Sequence, residues 1–241
     1  MNFWSGVVEW FTSASSWEGN AGAVHRLYEH VAMSGASMLV AAALALPLGI
    51  WLGHTGRGGA IAINASNVGR AVPSFAILVL AAQVWGIGWK PAFFALVALA
   101  VPPMVTNAYV GLQGVDAEVR EAARGMGMTG AQSLWRVELP VAMPVVVGGV
   151  RTAAVQVVAT ATLAALVAWG GLGRFIVDGT AQRDFVQVFA GAVLVAALAI
   201  VTELALAGLQ RLVVPAPLRR RRPARERREP FVGLAADPQP S

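Results

Sequence analysis

Cysteine is absent from this sequence, which excludes disulfides, thiolate metal sites and thiol nucleophiles and leaves the redox compartment undetermined. Lysine is almost absent too: Lys90 stands alone, and Pro91 follows it. A Walker A loop requires Gly-x4-Gly-Lys-Ser/Thr, so the chain does not cradle ATP in that way. Histidine is limited to His25, His30 and His54. There is no HExxH, and a Ser–His protease pair inside a membrane would need a histidine beyond residue 54. His25 and His30 are five apart, off the i, i+4 spacing that sets two ligands on one helix face. These absences leave no catalytic residue, no metal site and no cofactor to assign. Charge of either sign is also scarce, at 13% of residues, against roughly a quarter in soluble domains.

Apolar sequence fills the gap. Hydrophobic residues make up 56% of the chain and the mean hydropathy is +0.62. A membrane-crossing helix needs about 20 mostly apolar residues, and five stretches offer them. The first is Met33 to Gly53, with Pro47 inside it. The second, Ala60 to Trp85, is interrupted by Arg70 and Pro73 and is expected to kink at Pro73, with the span running from Ala71 onward. The third is Pro91 to Leu112, with Pro102-Pro103 in its middle; the fourth is Met143 to Trp169; the fifth is Val186 to Leu212. The reading is an all-α, polytopic membrane protein with about five transmembrane helices. Ahead of them, residues 1–29 carry Glu9, Glu18 and several tryptophans. No basic residue precedes Asn20, so this reads as an external interfacial segment rather than a signal peptide. Residues 30–212 form the transmembrane domain. Residues 213–241, rich in Arg, Pro and Glu, read as a disordered basic tail.

Orientation follows from the basic residues in the loops. If the polar segment at 113–140 is cytoplasmic, 13 basic residues lie inside and 4 outside, with Arg151 left in its span. The opposite orientation reverses those numbers. The N-terminus is therefore placed outside and the C-terminus in the cytoplasm, where the tail arginines meet anionic lipid rather than nucleic acid. No internal repeat is visible, so the chain does not read as two duplicated halves.

The most charged internal stretch is Gly111 to Pro140. Val119, Ala122, Ala123 and Met126 fall at i, i+3, i+4 and i+7, one apolar stripe of a helix. Asp116 is placed to cap its start, Glu121 and Arg124 are spaced to pair, and Gly125 and Gly127 end it. Thr129-Gly-Ala-Gln132 fits a capping box for a second helix, expected to close before Pro140 because Leu139 is biased out of helical geometry. Small residues at Ala122, Ala123, Gly125 and Gly127 allow another backbone to approach closely. On spacing alone, a capped solvated loop accounts for the pattern equally well.

Glu121-Ala-Ala, Gly127 and the downstream Leu139-Pro140 resemble the EAA-type coupling motif of inner-membrane permeases of binding-protein-dependent ABC importers. Further matches resemble the osmoprotectant permeases (glycine betaine, choline or carnitine type): Ala45-Leu-Pro-Leu-Gly49, Val72-Pro-Ser-Phe-Ala76, Gly86-Ile-Gly88, Asn107 with Tyr109 and Gly111-Leu112, Ala123-Arg-Gly-Met-Gly-Met128, and Gly170-Gly-Leu-Gly173. Together they cover about 30–212. The resemblance implies a type I ABC importer permease fold, a separate ATPase subunit, an external substrate-binding protein and a second permease chain. It implies that Glu121, Ala122, Ala123, Gly125 and Gly127 meet the ATPase, and that Leu139 and Pro140 set the exit of the next helix. The chain departs from that pattern at Val167-Ala-Trp169, where small residues are usual, and at Glu203, where Asp is common. A permease for another small solute such as methionine is the nearest alternative, and a stand-alone carrier or channel a more distant one. For the path or its gate the candidates are Pro73, Ser74, Asn107, Tyr109 and Arg151, although kinks and helix packing explain the first four nearly as well. Arg151 is read first as snorkelling to the cytoplasmic interface, with gating or helix pairing second. Glu203 is left without an assigned partner.

Overall fold

The structure, a computed structural model, describes residues 2–213. The tail beyond Val213 and the side chain of Arg70 lie outside the described residues. Among those residues the regular structure is helical: α1 (Phe3–Thr12), α2 (Ala14–Trp17), α3 (Ala23–Thr55), α4 (Gly59–Ala71), α5 (Ser74–Trp85), α6 (Trp89–Gln113), α7 (Ala117–Gly125), α8 (Gly130–Ser133), α9 (Leu139–Thr160), α10 (Gly173–Gln182) and α11 (Phe185–Val213). A π-helical turn, Leu134–Glu138, joins α8 to α9, and a 3-10 segment, Ala161–Val167, extends α9.

Among the described residues, four helical stretches are long and apolar enough to cross a bilayer: α3, α6, the continuous run Gly130–Val167, and Phe185–Leu212 within α11. The second expected span is not one kinked helix. Pro73 sits in extended geometry (φ −59°, ψ 127°) and separates α4 from the apolar, 12-residue α5. The missing N–H of Pro73 and its constraint on Val72 explain a break where a bend was expected. The N-terminal segment packs on the bundle by aromatic edges. Trp10 meets Phe175 of α10 at 5.4 Å, and Phe3 and Trp4 meet Phe189 of α11 at 5.6 and 5.7 Å.

The centre is α6, packed against α3 on one side and α9 on the other. Ser37, Ala41, Ala45, Gly49 and Gly53 recur every fourth residue of α3 and are all buried, which lets the two backbones close up. A Cβ on Gly49 would lie 2.7 Å from that of Ala108, and one on Gly53 2.8 Å from that of Leu112. Within hydrocarbon, burying a side chain away from lipid gains little, so helix association depends on such close packing of small residues.

The expected helix end before Pro140 is not found. Leu139 is helical (φ −64°, ψ −45°), and its N–H reaches back five residues to the carbonyl of Leu134. That wider π turn comes immediately before Pro140, whose ring would clash with the carbonyl four residues back in a regular α-helix. The helix is therefore rewound rather than stopped.

Candidate functional site

The α7–α8 hairpin is built from its caps. Asp116 accepts the Glu118 N–H at 3.1 Å and places an acid at the favourable end of the helix dipole. At the other end Gly127 takes φ +79°. Its N–H donates to the Arg124 carbonyl at 2.9 Å, and the Met128 N–H to that of Ala123 at 3.2 Å. This pair is the Schellman arrangement that only a residue tolerant of left-handed geometry completes cheaply. The Thr129 hydroxyl accepts from the Gln132 N–H at 3.3 Å, and the Gln132 side chain accepts from the Thr129 N–H at 2.8 Å. The caps and the turn at Gly127 thus form as read from the sequence, while the second helix runs on through the π turn into α9.

Its outward face is small and partly apolar. Ala123 is buried at 1% exposure, whereas Val119 and Met126 are exposed at 41% and 70%. Glu121, Ala122, Arg124, Gly125 and Gly127 are exposed as well, and a Cβ at Gly125 or Gly127 would meet open space. Beyond the hairpin, Trp135 is 64% exposed, Leu139 is half-buried and Pro140 exposed. The stripe from Val119 to Met126 is therefore left mostly uncovered by its own chain. The Glu121–Arg124 pair expected from spacing is not among the ion pairs of the described residues.

Beneath the hairpin lies a polar node that sequence reasoning missed. Glu138, 3% exposed, takes His54 Nδ1 at 3.0 Å and the Ser133 hydroxyl at 2.9 Å. Arg120 stands at 3.6 Å from the same carboxylate and donates to the Leu112 carbonyl. The available signal was a carboxylate between Val137 and Leu139 in the apolar approach to Pro140. Such a group needs partners if it is buried.

A second missed cluster lies at the opposite end of α3. Glu29 accepts the Gly171 N–H at 2.8 Å and is paired with Arg26 at 2.8 Å. His30, buried at 1% exposure, makes contacts on both ring nitrogens. Nε2 donates to the Val158 carbonyl at 2.8 Å and Nδ1 accepts the Leu172 N–H at 3.3 Å. Those partners fix a neutral imidazole protonated at Nε2. The Gly170–Gly173 loop fits against this clamp because a Cβ on Gly170 would fall 2.0 Å from the Glu29 carboxylate.

The residues considered for a path are dispersed. Ser74, at the start of α5, lines a small cavity with Ala92, Leu96, Thr160 and Leu163, and the exposed Pro73 marks the break before it. Asn107 donates to the Pro103 carbonyl at 2.8 Å and lies against Gly149 of α9, and the Tyr109 hydroxyl lies against Gly59 of α4. Arg151 reaches across to α11. Its Nε pairs with Glu203 of α11 at 3.1 Å and its Nη1 donates to Gln210 at 3.0 Å. Glu203 thereby gains its partner, because the two acceptors lie two turns apart on one face of α11.

Comparison with known proteins bears on both hairpin and bundle. Residues 45–217 match the family model described as the binding-protein-dependent transport system inner membrane component. The chain is 36% identical over 197 residues to a choline transport system permease protein of Bacillus subtilis (strain 168), covering 82% of this chain and 91% of that one. It is also 36% identical over 195 residues to a carnitine transport permease protein of Listeria monocytogenes, covering 81% and 89%. An osmoprotectant import permease protein of Salmonella typhimurium (strain LT2) is 37% identical over 188 residues, covering 77% and 80%. Among solved structures, an inward-facing methionine ABC transporter superposes with a TM-score of 0.69 at 24% identity, covering 80% of this chain and 96% of that one. That last likeness concerns the fold.

Proposed function

This chain belongs to the binding-protein-dependent transport system inner membrane components, and from that premise we propose that it carries an osmoprotectant such as glycine betaine, choline or carnitine through the membrane. It is an ABC permease of the type I importer fold. The cargo is delivered by an external binding protein, and the energy comes from a separate ATPase subunit, since the single lysine, Lys90, stands outside any Walker A pattern. Two permease chains, identical or different, form the pathway. Each presents its 113–140 segment to one ATPase in the cytoplasm, with Glu121, Ala122, Gly125 and Gly127 at the contact, the buried Ala123 seating α7 beneath them, and Leu139 and Pro140 carrying the chain into α9. The N-terminal segment 1–29 is external, and the tail from 213 is cytoplasmic.

The observation that supports this most is the uncovered face of α7. A capped, rigid helix exposes Ala122, Gly125, Met126 and Gly127 at one end of the bundle. In an otherwise membrane-embedded chain such a face suits a soluble partner. ATP binding draws the two ATPases together, the hairpins follow, and access switches from one side to the other. Pro73, Ser74, Asn107, Tyr109 and Arg151 are proposed to shape the path or its gate, Ser74 by contact and the others by holding helix breaks and crossings. Cation–π contacts suit a quaternary amine, and the binding protein is the place where they select it.

The test is reconstitution of the permease with its ATPase and binding protein in proteoliposomes. Uptake of labelled choline, glycine betaine and carnitine is expected, above that of labelled methionine and dependent on a functional Walker lysine in the ATPase. Uptake that continues without ATP hydrolysis would point to a carrier, and uptake confined to methionine would overturn the cargo.

A further inference from the structure

We propose that Glu138 is the positioning residue that makes the coupling hairpin and the membrane helices move as one body. This rests on the functional reading above and adds to it a specific joint. The hairpin leaves the bundle at Gly114 and turns at Gly127, and its helices are short. α8 runs unbroken through the π turn into α9, but α7, which lies between Gly114 and Gly127, would pivot when pulled, and its displacement would be lost before it reached a transmembrane helix.

The carboxylate of Glu138 removes that freedom. It lies in the π turn that leads into α9, and three groups from three other segments converge on it. His54 comes from the last turn of α3, Arg120 from α7, and Ser133 from the end of α8. Arg120 also reaches the carbonyl of Leu112, near the end of α6. One acid therefore links α3, α7, α8 and α9, and through Arg120 touches α6. At 3% exposure it cannot exchange these partners for water, and a buried carboxylate without them is strongly disfavoured. Two neighbouring contacts tighten the same corner. Gln113 Nε2 donates to the Gly53 carbonyl at 2.6 Å, and His54 packs 3.6 Å from the Cβ position of Gly130.

The consequence is directional. A pull on the outward face of α7 is transmitted through Arg120 to Glu138, which Ser133 steadies from the end of α8, and from there to α9 directly and to α3 through His54. Without the joint, the ATPase still docks and hydrolyses ATP, because the docking face of α7 does not include Glu138. Less of each stroke then reaches α3 and α9.

The experiment uses the complete reconstituted complex, with ATP hydrolysis and uptake of labelled choline measured on the same vesicles. Glu138→Gln and His54→Ala are expected to assemble with the ATPase and hydrolyse ATP at near the parent rate, while choline taken up per ATP falls roughly two- to thirtyfold, the range over which coupling networks are tuned. Because the chain has no cysteine, His54→Cys with Glu138→Cys supplies one defined pair in it. That double variant is expected to be uncoupled as free thiols and to recover when a short bifunctional thiol reagent spans the pair, whose side chains meet at their tips and are too far apart at Cβ for a direct disulfide. Should Glu138→Gln fail to assemble, His54→Ala decides, since it leaves Ser133 and Arg120 on the carboxylate. Uptake per ATP that stays at the parent value in an assembled variant overturns the joint. So does a loss of uptake and hydrolysis in equal proportion, which would mark a purely structural role. If the unmodified complex neither binds the ATPase nor drives uptake with ATP, the functional reading itself fails.

Discussion

The Arg151–Glu203 pair allows a prediction whose sign is not obvious. At 3.1 Å and an effective dielectric near 20, the Coulomb attraction is roughly 5 kcal/mol. The side chains are 35% and 42% exposed, so screening together with partial desolvation takes back most of that, and the intact pair contributes little net stability. Losing one partner is different. Glu203→Gln leaves the guanidinium of Arg151 with the Gln210 amide oxygen at 3.0 Å and no opposing charge. Insertion scales put an unpaired charge in a helix centre at about 2.5–3.5 kcal/mol. The remaining hydrogen bond offsets part, so the single variant should lose about 2 kcal/mol. Arg151→Met combined with Glu203→Leu removes both charges and should lie near the parent or above it, as replacement of ion pairs by apolar groups often does. The measurement is reversible unfolding in mixed micelles for the parent, Glu203→Gln, the singles Arg151→Met and Glu203→Leu, and their double. If Glu203→Gln sits within about 0.5 kcal/mol of the parent, or if the double variant equals the sum of the singles, the pair holds nothing. The last helix would then be kept in place by its packing on α10, α9 and α1.

Two further substitutions separate the faces of this molecule. Gly125→Ala should raise the stability of the isolated permease by about 0.5–1 kcal/mol, since Gly125 is helical and its Cβ would meet open space. The same change should weaken ATPase co-purification if another backbone lies against that face, and an unchanged pull-down would remove Gly125 from the contact. At the other end of α3, Gly170→Ala should disturb the Glu29 clamp because its Cβ would fall 2.0 Å from the carboxylate. Adding Glu29→Ala should recover part of the lost thermal stability, and a double variant no better than the single would show that the clash is not the cause.

Periodicity and capping signals carried much of the architecture. The hairpin caps at Asp116, Gly127 and Thr129 were legible because each depends on residues a few positions apart, and their hydrogen bonds are found where the spacing places them. The break at Pro73 and the rewound helix at Pro140 were read less well, for one reason. A proline states that the regular ladder is interrupted, but not whether the chain stops, bends or inserts a π turn. Neighbouring segments settle that choice. At Pro73 the α5 helix starts afresh on α6, and at Pro140 the preceding Glu138 is fixed from α3 and α7.

The polar nodes were hidden more deeply. His54 meets Glu138 across 84 residues, and Glu29 and His30 meet the Gly171–Leu172 backbone across 142. No local period encodes such a meeting. Taken singly, Glu29 and Glu138 look like the solvated ends of helices, and His30 like an isolated imidazole. Composition nevertheless held a clue that spacing did not. In a chain with 13% charged residues, an acid set among apolar neighbours is expensive to bury and is retained where other segments supply its donors. Glu138 and Glu203 stand among such neighbours, and other segments supply their partners, at the coupling end and on the α9–α11 seam respectively. Small residues complete the same logic from the apolar side. The every-fourth-residue run from Ser37 to Gly53 brings α3 against α6 closely enough for His54, at its end, to reach Glu138. Close packing and polar fixation are therefore one arrangement: α3 supplies the stripe along its length and a clamp at either end.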